Sequence, residues 1–173
     1  FSSFVNISEQ SASGIDLAAF YNMPLGAGSL TLGLDYSRLL EFDRIQLNSA
    51  GTAFITRALA GEYEYPEDRW ALTGDWQVGD WGIFGRLTSI GEFEDFGTNV
   101  AARQRTIKAF TTLNLQVSYS GFANTKIALS VDNALDEFPP FAIGDGDADL
   151  YGYVSQTHSP RGRFWNMRAT YAF

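Results

Sequence analysis

Apolar and polar residues alternate with a period of two along most of the chain. In the last segment Trp165, Met167 and Tyr171 fall on one side of the alternation, and Asn166 and Arg168 fall on the other. Because successive side chains of a strand point to opposite faces, this pattern predicts strands with one apolar and one mixed face. We predict seven strands and no helix, and the alternation that defines these strands is clearest at residues 15–22, 30–37, 70–78, 83–88, 113–120, 126–132 and 164–173.

The connections between these strands alternate between short and long. Residues 24–28, 79–80 and 121–124 are rich in Gly, Pro, Asn and Asp, which predicts tight turns. Long segments at 43–69, 92–105 and 135–163 lie between them. This alternation of short and long connections is typical of an antiparallel up-and-down sheet that has short turns at one end and long loops at the other.

Two observations favour a transmembrane barrel over a soluble sandwich. Trp70 and Trp165 begin strands at the loop end, and a second set of aromatic residues lies near the short turns: Tyr21, Trp81, Tyr119, Tyr171 and Phe173. Two aromatic rings around an aliphatic band are the interfacial girdles of membrane barrels. Each strand also offers about 9–11 alternating residues, enough to cross a bilayer when tilted, whereas strands of globular domains are nearer about five or six.

Composition narrows the possible functions further. The 173 residues are 45% hydrophobic and 18% charged, with a net charge of −8 and no cysteine. The acidity argues against a nucleic-acid partner, and the missing cysteines exclude disulfides and thiolate metal sites. There is no run of about 20 apolar residues, so a spanning helix is excluded.

The strand count predicts that the barrel continues before Phe1. Bacterial single-chain barrels have even strand numbers, so seven strands predict that others precede Phe1. Because the sequence has no initial Met or signal peptide, we expect a processed product or a fragment.

Three passages carry a family resemblance. They are Val5-Asn6-Ile7 followed by Gly14-Ile15-Asp16, the stretch Val131-Asp132-Asn133-Ala134-Leu135-Asp136 with its trailing prolines, and Pro160–Trp165 followed by the terminal Thr170–Phe173. Together they resemble the C-terminal part of a TonB-dependent outer-membrane receptor. The family commonly has Leu-Phe where Ala134-Leu135 stands here. The resemblance extends over residues 1–173 and implies the last seven or so strands of a barrel of about 22.

The resemblance also implies a function in the bacterial outer membrane. Such a receptor is an active transporter, not an enzyme, for a scarce nutrient of the siderophore-iron, cobalamin or saccharide class. It needs no cofactor. Its partners would be its own N-terminal plug domain, the TonB complex, the barrel-assembly machinery, lipid, lipopolysaccharide and a small-molecule substrate; neither the plug nor the TonB box is expected in this chain. The C-terminus and short turns would face the periplasm, and Phe173 would be read during barrel assembly.

Two other classes of protein remain open at this point. One is a passive porin or a small structural outer-membrane barrel, with an eighth strand within residues 1–12. The other is a soluble carbohydrate-binding β-domain. The charge distribution fits an outward-facing loop end, because the three long segments hold thirteen acidic and seven basic residues, which accounts for −6 of the net −8.

The long segments contain the candidate ligand-binding residues. Aromatic rings stack on sugars and flat chelates, and guanidinium groups bind anions. The candidates are Tyr63, Tyr65, Phe93, Phe96, Arg103, Arg105, Phe141, Tyr151 and Tyr153. The alternative is that these aromatic side chains pack one loop against another.

Charged residues within the strands, an acidic triplet and one histidine are further candidate site residues. Asp75, Arg86, Lys126, Asp132 and Arg168 lie on the mixed face and are expected to face the lumen, where they contact the plug or pair across strands. Asp145, Asp147 and Asp149 could ligate a hard cation, although their spacing is not that of an EF-hand and a solvated acidic loop is the simpler interpretation. The one histidine, His158, is expected to be an exposed polar loop residue, and no catalytic constellation is predicted.

Overall fold

The computed structural model describes residues 9–48, 50–95, 105–144 and 152–173. Within these ranges the chain consists of strands and connections without a helix. The strands are β1 (Glu9–Leu25), β2 (Gly28–Leu47), β3 (Phe54–Ala58), β4 (Asp68–Val78), β5 (Trp81–Ile90), β6 (Phe93–Glu94), β7 (Thr106–Ile107), β8 (Phe110–Phe122), β9 (Thr125–Asp132) and β10 (Phe164–Tyr171). The described residues therefore contain no helix long and apolar enough to span a membrane.

Seven of these strands form one continuous sheet in the order β1-β2-β4-β5-β8-β9-β10. Each long strand pairs antiparallel with the next long strand in the sequence. Strand β3 is added to the loop end of β2, and β6 pairs with β7 in a separate ribbon. The prediction of seven strands in an antiparallel up-and-down sheet is confirmed for the long strands, whereas the short strands β3, β6 and β7 are additional to it.

The start of the first long loop was predicted wrongly. The alternation predicts a start at residue 43, but β2 continues to Leu47 and pairs there with β3, with Asp43 opposite Ala58. The alternation breaks in this region because Gly14 lies opposite Leu39 and Ser13 opposite Glu41, which makes Leu40 the extra residue of a bulge. A Cβ on Gly14 would lie 2.8 Å from the backbone oxygen of Arg38, so glycine permits the close approach of the strands at the bulge.

Three short turns close the hairpins at the opposite end, as predicted. The turn residues Gly26, Gly79 and Asn124 have φ angles of 62°, 54° and 56°. Glycine and asparagine tolerate this left-handed conformation, which matches the twist of two-residue hairpin turns. We refer below to this side of the sheet as the turn end and to the other side as the loop end.

The two faces of the sheet differ in chemistry. The apolar face carries Leu17, Leu34, Leu72, Ile83, Leu115, Val117, Leu129 and Met167, and the polar face carries Asp16, Asp35, Asp75, Arg86, Gln116, Lys126, Ser130 and Arg168. Leu17 and Met167 remain 57% and 75% exposed, so no second layer of the described chain covers the apolar face. A face of this size without a protein layer is accounted for by the hydrocarbon of a bilayer.

Aromatic residues gather at the turn end of the apolar face. The rings of Trp81 and Tyr119 lie 4.7 Å apart, and Phe122 packs edge-on against Tyr119 at 5.1 Å. Tyr171 and the terminal Phe173 make a similar contact at 5.3 Å. Their amphipathic rings suit the membrane–water boundary, where an aromatic belt anchors a barrel.

Candidate functional site

The long connections pack together at the loop end. Tyr63, Phe93, Ile107, Ala142 and Val154 form a buried apolar cluster, which we call the loop core. Phe93 and Val154 are 2% and 0% exposed. Since these residues come from all three long segments and β7, the loops pack against one another instead of projecting separately into solvent.

Hydrogen bonds tie the same loops together. The buried carboxylate of Asp95 accepts backbone N–H bonds from Ile143 at 2.8 Å and from Gly144 at 3.1 Å. The backbone N–H of Glu94 donates to the carbonyl of Gly61 at 2.8 Å, which joins the second loop to the first. A carboxylate that receives two N–H bonds fixes the position of the donating backbone, so the second and third loops are held together around Asp95.

His158 lies inside this assembly, and its predicted exposure is wrong. The side chain is only 3% exposed, with its ring stacked on Phe93 at 5.8 Å and edge-on to Phe110 at 5.3 Å. Neither ring nitrogen has a hydrogen-bond partner among the described residues. Burial, assisted by the nearby positive charge of Arg69, lowers the pKa of His158 from the ordinary 6.5 to about 4.

Acidification is expected to loosen the loop core. Because the packed core binds a proton on His158 more weakly than an opened loop does, the core keeps its full stability above pH 6.5 and loses it as the pH falls toward about 4. Limited proteolysis of the third loop across this range should show cleavage that accelerates at low pH. His158→Phe keeps an aromatic ring without the titration and should flatten the profile, so equal pH dependence in both proteins would contradict this role.

The predicted ligand-binding residues divide into buried and accessible positions. Tyr63 and Phe93 belong to the loop core. Tyr65 is half-buried, packs against Phe42 at 4.8 Å and accepts a hydrogen bond from Arg44. Arg105 lies 4.8 Å above the exposed ring of Phe141. Tyr153, also in the third loop, is half-buried. Phe96, Arg103 and Tyr151, like the acidic triplet Asp145, Asp147 and Asp149, lie outside the described residues.

The five charged residues predicted to face the lumen all lie on the polar face. They are Asp75, Arg86, Lys126, Asp132 and Arg168, and none forms an ion pair with another within the described ranges. Each of the five lies opposite an uncharged residue on its paired strand, for example Asp75 opposite Phe84 and Arg168 opposite Ala128. Contact of these charges with the plug stays a prediction. Lys126 and Arg168 share a concave surface lined by Gln116, Ser130, Asn166 and Thr170.

Asn133 joins the two ends of the third loop, in an arrangement that we call the base clasp. Its side-chain amide donates to the carbonyls of Glu137 at 2.8 Å and Arg161 at 3.2 Å, and its side-chain oxygen accepts from the N–H of Glu137. Asp136 adds a hydrogen bond from the N–H of Arg163 at 2.8 Å. The clasp therefore holds the start of the third loop, at Asn133 and Asp136, against its end, at Arg161 and Arg163.

Beside the clasp, a cavity of about 320 Å³ opens on the polar face, and we call it the mouth cleft. Its walls come from β5, β8 and β9 and from the end of the third loop, which folds back over the sheet. The lining residues are Thr88, Ile90, Phe110, Thr112, Asn114, Asp132, Asn133, Thr157, Ser159, Arg161 and Gly162. Of these residues only Asp132 is a candidate site residue from the sequence, because threonines spread over two strands and a loop give no local motif.

Comparison with known proteins identifies the family. The sequence profile described as "TonB dependent receptor-like, beta-barrel" matches residues 1–134, most of the chain. The chain belongs to this family. Both the predicted resemblance and the all-β barrel fold are confirmed, and the TonB-dependent receptor barrel places the chain in the bacterial outer membrane, as expected. No curated protein sequence gives a match.

Two solved structures show how this TonB-dependent receptor segment relates to whole barrels. Both are variants of the ferric enterobactin receptor PfeA from Pseudomonas aeruginosa, with 19% and 18% identity and TM-scores of 0.59 and 0.57. The alignments cover 94% of this chain but 22% of those chains. The chain thus spans about a fifth of the length of the receptors it resembles, and the likeness shows the fold of the barrel wall.

Proposed function

We propose that this TonB-dependent receptor segment forms part of the wall and the extracellular loops of an active outer-membrane transporter for a scarce nutrient. The nutrient would belong to the siderophore-iron, cobalamin or saccharide class, and the protein is a transporter, not an enzyme. The observation that carries the proposal is the seven-stranded wall with an unshielded apolar face and a charged polar face. That arrangement belongs to a membrane-spanning barrel with a hydrated or filled interior, and the family profile supports the TonB-dependent type.

Packing at the loop end favours an active transporter over a passive porin. The third loop folds over the polar face, and the loop core joins it to the other two loops. Such an assembly narrows the mouth of the barrel and brings accessible side chains together, including Arg105 and Phe141. A receptor must hold its nutrient before import, whereas a porin needs an open path.

The charges of the polar face support a plug domain as a partner. Lys126 and Arg168 lie on one concave surface without a described carboxylate partner, and Arg86 lies elsewhere on the same face. A plug that fills the barrel would supply complementary groups to them and to Asp75 and Asp132. Contact of the plug with TonB would then couple inner-membrane energy to import, as the resemblance implies.

The outer surface supports the remaining partners. Beyond Tyr36 and Trp70 at the loop end, Arg38 pairs with Glu67 at 3.1 Å and with Asp68 at 3.5 Å. This cluster lies directly past the apolar band, at the level where lipopolysaccharide headgroups would begin, while the band itself contacts lipid. The exposed Phe173 lies two residues past the end of β10, where the barrel-assembly machinery would recognise it.

Uptake measurements test the proposed function. Cells that produce the complete receptor should accumulate at least one labelled nutrient from a set of ferric siderophores, cobalamin and oligosaccharides. We expect accumulation to stop when tonB is deleted or the proton gradient is dissipated. Accumulation that continues unchanged under both conditions would show passive diffusion and would identify the protein as a porin.

A further inference from the structure

We propose that the mouth cleft binds a neutral, polyhydroxylated unit, such as a sugar residue at the end of a saccharide. This inference rests on the proposed transport function and specifies the substrate class for it. The cleft lies on the polar face, directly under the folded end of the third loop. A nutrient held by the outer loops would therefore meet the cleft before it reached the interior of the barrel.

Four of the eleven residues that line the cleft carry a hydroxyl group, and three of these four are threonines. Thr88 and Thr112 project from adjacent strands β5 and β8 at directly paired positions, and Thr157 approaches from the third loop. No hydrogen bond to another described side chain engages these three hydroxyls. Each hydroxyl both donates and accepts, as the hydroxyls of a sugar do, so the two sets can satisfy each other in either direction.

The remaining polar groups add directional contacts. Asn114 uses its side-chain oxygen to accept the backbone N–H of Asn133 at 2.9 Å, which fixes the amide and leaves its NH₂ group to donate. Asp132 offers only acceptor oxygens and Arg161 only donor nitrogens. The cleft thus presents fixed donors, fixed acceptors and adaptable hydroxyls around one volume, which is the combination that a ligand with several hydroxyls requires.

Charge argues against a strongly anionic ligand in this cleft. Its lining holds one carboxylate, Asp132, and one guanidinium, Arg161, so it has no net charge. The guanidinium already lies over the ring of Phe164 at 5.3 Å. A multiply charged ferric chelate would need several cations to replace its hydration, and it would also approach through loop segments with an excess of acidic residues.

The dimensions and the floor of the cleft agree with a sugar ring. Ligand sites usually measure about 300–1,000 Å³, so a cavity of about 320 Å³ accepts one unit of a ligand and not a large macrocycle. Ile90 and Phe110 supply an apolar surface beside the polar groups. A pyranose likewise has an apolar C–H face and a polar rim of hydroxyls. Aromatic surfaces pack against the C–H face.

Binding to the complete, detergent-solubilised receptor tests the proposal. Calorimetric titrations would use neutral malto-, cello- and xylo-oligosaccharides and, in a separate arm, ferric enterobactin as an anionic chelate. We expect at least one oligosaccharide to bind. The double variant Thr88→Val and Thr112→Val retains strand-compatible side chains but loses two hydroxyls, and should weaken that binding by about 10- to 30-fold, at about one ordinary hydrogen bond per hydroxyl.

A matched variant separates a specific site from a general change in the barrel. Thr73→Val removes a hydroxyl from the same polar face outside the cleft and should leave affinity within about twofold of wild type, since it breaks no ligand hydrogen bond. The proposal is overturned if no oligosaccharide binds, or if the double variant binds as tightly as wild type. In either case, tonB-dependent uptake of ferric siderophore or cobalamin would leave the transport function standing.

Discussion

Leu115→Arg is expected to prevent stable insertion of the barrel, whereas Gln116→Arg, one residue along the same strand, is expected to be tolerated. Leu115 lies on the apolar face near the middle of β8 and is 40% exposed with no protein over it. An arginine on the lipid-facing side near the bilayer midplane costs about 2–4 kcal/mol in membrane barrels. Gln116 lies in the polar concavity beside Lys126, where water can solvate an added charge.

Heat-modifiable migration and urea titration in lipid vesicles measure this difference. Wild type and Gln116→Arg should both give a folded band, with free energies of unfolding that differ by less than about 1 kcal/mol. Leu115→Arg should unfold at a clearly lower urea concentration or fail to insert. Similar destabilisation by both variants would mean that the two faces do not meet different solvents.

Asn133→Ala is the second substitution with a large expected effect, because it removes the base clasp. The side chain is 5% exposed and makes three hydrogen bonds to the backbone at both ends of the third loop. The residue also has a φ angle of 49°, which asparagine tolerates better than alanine. With roughly 1 kcal/mol for each hydrogen bond, the loss should reach about 2–4 kcal/mol.

Asn133→Asp provides a second variant for this prediction. Aspartate keeps the acceptor for the N–H of Glu137 and tolerates the left-handed backbone, but it cannot donate to the two carbonyls. The oxygen that replaces the amide nitrogen would also face those two carbonyl oxygens in a buried site. Both variants are therefore expected to have a less stable third loop than wild type, as read from proteolysis of that loop and from urea titration. A protease-resistant loop in Asn133→Ala would show that the loop core alone holds the third loop in place.

Strand positions could be predicted because the sheet meets a different solvent on each face. The alternation shows this difference directly, for example in the neighbouring pairs Leu115 and Gln116 or Met167 and Arg168. The alternation does not predict the structure at Leu39-Leu40, because a bulge shifts the register there. It also does not predict that β3 pairs with β2, since no local residue pattern indicates this partner. The ends of the strands are therefore set by pairing between distant segments, which a local period cannot encode.

The loop end was the least predictable part of the molecule. Aromatic residues such as Phe93 and Tyr63 could be recognised as candidates for packing or for binding, but the choice depends on three loops separated by many residues. His158 shows the limit most clearly, because a lone histidine in a polar segment gives no sign that Phe93 and Phe110 enclose it. The mouth cleft was missed for the same reason, since its threonines are distant in sequence and become neighbours only through the register of β5 with β8.

Accessibility along β8 tests most directly the central claim that this chain is a barrel wall between lipid and a polar interior. Single cysteine substitutions from Thr112 to Tyr119 would be made in the complete receptor without other cysteines, spin-labelled, and exposed to oxygen dissolved in lipid or to a water-soluble nickel chelate. We predict that labels at 113, 115 and 117 respond mainly to oxygen and that labels at 112, 114 and 116 respond mainly to nickel or are shielded from both. Nickel accessibility at all positions, without alternation, would contradict a membrane-spanning wall and would favour a soluble β-domain.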